Sequence, residues 1–77
     1  MGEETFNTRA AVQFFGGPAD LQRRMRKLGY TLSVKGIEKW QERGQIPGNW
    51  MVRMAKLARE EGRLFDIHDF IVPGEAA

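Results

Sequence analysis

The 77-residue chain has 12 basic and 10 acidic side chains, a net charge of +2, and no cysteine. A chain this short builds a single small core. Without cysteine it has neither a disulfide staple nor a thiolate metal site. No apolar run approaches the ~20 residues that span a bilayer. The opening Met1-Gly2-Glu3-Glu4 is acidic rather than basic, which argues against a secretory leader. Beta-branched residues are sparse and nothing alternates cleanly, so the expected fold is all-α.

The ends, residues 1–5 and 73–77, read as flexible, leaving a domain over 6–72. The first helix is predicted from Thr8 to about Phe15, with Asn7 as N-cap and Ala11, Phe14 and Phe15 as its apolar stripe. Gly16-Gly17 stops it. A second helix starts at Pro18, where the missing N–H costs nothing, and Asp20 complements its dipole. Leu21, Met25 and Leu28 give it one apolar face, and Gly29 ends it. After Tyr30-Thr31-Leu32, a third helix is predicted from the cap Ser33 to Arg43. Val34, Ile37 and Trp40 face inward; Lys35, Glu38, Lys39 and Glu42 lie off that stripe. Gly44 closes it. A fourth helix runs from about Pro47 or Asn49 to Glu61, burying Trp50, Met51, Met54, Leu57 and Ala58. The apolar tail, Leu64 to Val72, is expected to hold one short helical turn capped by Asp66.

Charge is distributed unevenly along this order. Residues 21–43 carry seven cations (Arg23, Arg24, Arg26, Lys27, Lys35, Lys39 and Arg43) against Glu38 and Glu42, while both ends are net acidic. A cationic centre suits a polyanion; a solvated helix face is the plainer explanation of the same run. Two helices joined by a short glycine-containing turn, the second with a serine cap, outline a helix-turn-helix. In that arrangement the first helix crosses the DNA backbone and the second enters the major groove.

Five segments add specificity: Phe15-Gly16-Gly17, Leu28-Gly29, Ile37-Glu38-Lys39-Trp40, Arg43-Gly44-Gln45-Ile46-Pro47, and Trp50. In this order they resemble the small lambda-repressor-like (Cro-type) regulators of phages and prophages, over about residues 10 to 72. The resemblance implies a compact four- to five-helix domain that binds DNA through its third helix and dimerises on inverted repeats. Two departures stand out. The spacing from Gly29 to Ile37 is two residues longer than the family's usual one, and Met25 replaces a small alanine between the helices.

The base-reading candidates are Ser33, Lys35, Gly36, Glu38 and Lys39. Ser33 also serves as a cap, and Gly36 either permits close approach to bases or belongs to the long turn. Phosphate candidates are Gln22, Arg23, Arg26, Lys27, Arg43 and Asn49, which set affinity and register rather than sequence preference. Trp40 is read as core, and Trp50 as core first and phosphate donor second. Phe65, Ile67, Phe70, Ile71 and Val72 fold back on the helices, form a dimer seam, or do both.

A lone His68 with Asp66 and Asp69 makes a poor metal site, and no nucleophile–base pair can be assembled. The chain is therefore expected to be no enzyme, to use no cofactor or small-molecule substrate, and to engage no membrane. The expected partner is double-stranded DNA, bound by a homodimer acting as a cytoplasmic, nucleoid-associated regulator, most simply a repressor. The rivals are a helical protein-interaction module (antitoxin-like or anti-activator) and a phage DNA-packaging or recombination accessory protein.

Overall fold

The structure, a computed structural model, describes residues 5–72. The expectation of flexible ends falls outside these residues except at Thr5. Thr5 belongs instead to a strand, because its backbone finds a partner at the other end of the described chain. Strand β1 (Thr5–Phe6) pairs antiparallel with β2 (Ile71–Val72), setting Thr5 opposite Val72 and Phe6 opposite Ile71. The all-α expectation is corrected to this extent: the fold is mostly helical, with a small two-stranded sheet. The Asn7 N–H extends the closure by donating to the Phe70 carbonyl at 2.6 Å.

Between the strands lie α1 (Thr8–Gln13), α2 (Pro18–Lys27), α3 (Val34–Arg43), α4 (Gly48–Glu60) and a 3-10 turn, Ile67–Phe70. Helix ends follow local chemistry. Asn7 Oδ1 accepts from the Ala10 N–H at 3.1 Å, and Asp66 Oδ1 accepts from the His68 N–H at 2.9 Å. Helix α1 stops two residues before its expected end, since Phe14 and Phe15 enter a turn that leads to Gly16 and Gly17 at φ of 95° and 102°. Those angles suit glycine alone. At Gly16 a side chain would also run into the Asp20 carboxylate.

The core gathers residues from every helix: Ala11, Val12 and Phe15, then Leu21 and Met25, Ile37 and Trp40, and Met54, Leu57 and Ala58. Ile46 and Phe65 close it from the loops. Phe14, Phe15, Phe65 and Phe70 form an aromatic cluster with ring centroids 5.0–5.9 Å apart, within the range of favourable edge-on and stacked contacts. This cluster joins the tail to α1. Phe65 is 7% exposed and Phe70 is half-buried against the core, so both fold back on the helices. Ile71 is half-buried in the strand pair. Of the five, Ile67 and Val72 remain exposed.

Candidate nucleic-acid interface

Helix α3 packs against both α1 and α2. Ile37 and Trp40, three residues apart, bury its inner side; Val34 and Gln41 are half-buried beside them. This spacing leaves one continuous outer side. Lys35, Glu38, Lys39 and Glu42 are all exposed there and together line a shallow depression of about 290 Å³. Among the described residues no ion pair within 4.0 Å engages either lysine. The outer side is net neutral, two cations against two anions.

The N-terminus of α3 is held by Ser33, whose Oγ accepts from the Gly36 N–H at 2.9 Å. Ser33 is itself exposed and keeps its hydroxyl hydrogen for a further acceptor. Gly36 has a local explanation: a Cβ there would lie 3.1 Å from Ser33 Oγ and press on the cap. The two N–H groups ahead of Gly36, at Val34 and Lys35, have no side-chain cap. The helix ends at Gly44, φ 73°, as its N–H donates to the Trp40 carbonyl.

The turn before α3 runs from Gly29 to Ser33, and it is fastened rather than loose. The Tyr30 N–H donates to the Met25 carbonyl at 3.0 Å. The Tyr30 ring meets Trp50 edge-on at 6.2 Å, and Trp50 in turn lies 5.8 Å from Trp40. The Arg53 guanidinium sits over both rings, 4.8 Å from Tyr30 and 4.5 Å from Trp50, in cation–π geometry. Trp50 is thereby engaged in packing. Arg53 was not singled out from the sequence. Its i, i+3 spacing from Trp50 offered a signal; its contact with Tyr30, across the fold, offered none.

The phosphate candidates separate into three groups. Arg23 pairs with Asp20 at 2.8 Å. With Arg24 and Lys27 it lines a groove against α4 that also holds Glu60 and Glu61. Arg24 is anchored there, its Nη1 donating to both Glu61 carboxylate oxygens at 2.9 Å. Gln22 and Arg26 are not among the residues lining that groove; Arg26 is exposed and Gln22 half-buried. Arg43 lines a third depression, about 300 Å³, with Trp40, Gln45, Ile46, Pro47 and Gly48. This one opens at the start of α4. Pro47 is the N-cap and has no side chain to satisfy the first N–H groups. Asn49 is exposed in that first turn.

His68 serves the turn at Asp66. Its Nδ1 lies 2.9 Å from Asp66 Oδ1. Hydrogen bonds from the His68 backbone N–H, first, and from its ring hold the Asp66 carboxyl below its ordinary value. Among the described residues no group of three or more His, Asp or Glu converges as a metal site. No helix among them is long and apolar enough to cross a membrane. No family model matches the chain, and no curated protein or solved structure matches it significantly.

Proposed function

We propose that the chain is a sequence-specific double-stranded DNA-binding regulator of the lambda-repressor-like type, reading the major groove with the outer side of α3. The observation that carries this reading is the division of α3 into two sides. Ile37 and Trp40 anchor it, while Lys35 and Lys39, one turn apart, stand exposed and, among the described residues, unpaired. A mixed outer side suits base edges better than phosphates. Guanine offers acceptors to lysine, and the cytosine amino group offers a donor to glutamate, whereas phosphates offer acceptors only. The phosphate contacts then fall to the flanks. Arg43, with the start of α4, is the favoured site, because the first N–H groups of that helix have no side-chain cap. Arg26 is the favoured cation on α2. Arg23 and Lys27 are weaker candidates beside Glu60 and Glu61.

The reading assigns no catalytic step to any residue. A bound chain acts as a repressor by covering a promoter, in the compartment that holds the DNA. As a homodimer it would place two copies of α3 about one helical turn, ~34 Å, apart on an inverted repeat. Selection of bound duplexes from a random pool, followed by a salt titration, tests this. The expected result is an enriched palindromic consensus whose affinity falls with salt. Recovery of no sequence above the starting pool rejects the reading.

A further inference from the structure

The two most exposed large apolar side chains among the described residues are Leu64, just past the C-terminus of α4, at 82% and Val52, in its N-terminal half, at 70%. Val52, Ala55 and Arg59 fall at i, i+3, i+7 on the side of α4 away from Met54, Leu57 and Ala58. Ala55 and Arg59 continue into an open groove of about 530 Å³ with Gly62, Arg63, Leu64 and Phe65. Its lining is apolar between two guanidinium groups, and no carboxylate is part of it. Arg59 makes no ion pair among the described residues. Arg63 is fixed along one wall, its guanidinium 3.8 Å from the Phe14 ring centroid and 4.0 Å from Glu61 Oε1.

We propose that this groove docks an acidic segment of another protein that also carries leucine or phenylalanine. Charge decides between the possible occupants. A second copy would bring its own Arg59, unpaired among the described residues, to a lining that already holds one and no acid, and like charges facing each other oppose association. A nucleic-acid backbone would satisfy the arginines but leave Leu64 and Ala55 in water. An acidic, apolar segment satisfies both: its carboxylates meet Arg59 first and Arg63, loosely held by Glu61 at 4.0 Å, second, while its side chains cover Leu64 and Ala55. An apolar floor with a charged rim is the anatomy of protein contact sites. None of the lining residues belongs to α2 or α3, so this inference and the DNA-binding reading stand or fall separately.

The test is a titration of the isotopically labelled full chain, followed by amide NMR, with a short synthetic peptide in which glutamate alternates with leucine and phenylalanine. A second peptide with lysine in place of glutamate is the control. The expected result is saturable shifts at Ala55, Arg59 and residues 62–65 with the acidic peptide alone. Leu64→Glu and Arg59→Glu should each weaken binding about tenfold or more. Both sites are exposed, and an unchanged thermal midpoint verifies folding. The proposal is overturned by equal shifts with the lysine peptide, by shifts at these amides on dilution alone (a second copy), by shifts there with duplex DNA, or by no saturable shift.

Discussion

Helices α2 and α3 carry most of the positive charge of the chain, and they use it in opposite ways. On α2, Arg23 is tied to Asp20 and Arg24 clamps Glu61 across the fold. On α3, Lys35 and Lys39 share a side with Glu38 and Glu42 without pairing within 4.0 Å. A cation committed to a carboxylate of its own chain contributes to fixing the fold; an uncommitted one is available to a partner. Positive charge counted along the sequence therefore overstates what α2 offers to DNA.

The comparison depends first on α3 being seated. Ile37→Ala, at a site fully closed to solvent, should cost about 2–5 kcal/mol of stability in urea unfolding. It should also weaken DNA binding by releasing the helix. Lys35→Ala and Lys39→Ala should do the reverse, leaving the urea midpoint in place and lowering affinity for a selected site by about 1–3 kcal/mol each. Wild-type affinity in both would move the reading surface elsewhere. Ser33→Ala removes the cap and should cost about 1 kcal/mol of stability; its effect on binding reports whether the hydroxyl also meets DNA. Arg24→Ala sharpens the contrast from the other side. The pair it breaks is partly exposed, with side chains 31% and 25% accessible, so solvent screening limits the loss to at most about 1 kcal/mol. The salt dependence of DNA binding should not change. A flattened slope would instead place Arg24 on the duplex.

The smallest effect concerns the turn at Asp66. Its carboxyl titrates below the ordinary value of 3.8 because His68 donates to the charged form. A lowered folded value stabilises the folded chain above the unfolded one, and that contribution is lost as pH falls through the folded value. An NMR titration should find Asp66 protonating later than an unstructured aspartate as acid is added, and Asp66→Asn should remove that step from the titration of the His68 amide.

Local chemistry made much of the fold legible beforehand. Asn7, Ser33 and Asp66 cap helical turns within three residues of themselves, and Gly16, Gly17 and Gly44 occupy left-sided backbone geometry where helices stop. What stayed hidden spans long stretches of chain. The β1–β2 pair is two residues on each side, too short for any alternation to register. The Arg24–Glu61 clamp joins residues 37 apart, and nothing in either helix alone selects that partner. The candidate interface divides in the same way. Which residues of α3 face outward follows from the period of its apolar stripe. The Arg23–Asp20 pair lies within α2, three residues apart, but the commitment of Arg24 depends on where α4 ends.

The strand pair carries one more consequence. Thr5 and Val72 are ladder partners, so the limits of the described fold lie a strand spacing apart, ~5 Å. A short peptide joining them would circularise the domain without stretching it, and the chain could be opened instead at an exposed glycine such as Gly62. A permuted version should keep its four helices while carrying its new ends far along the sequence from the old.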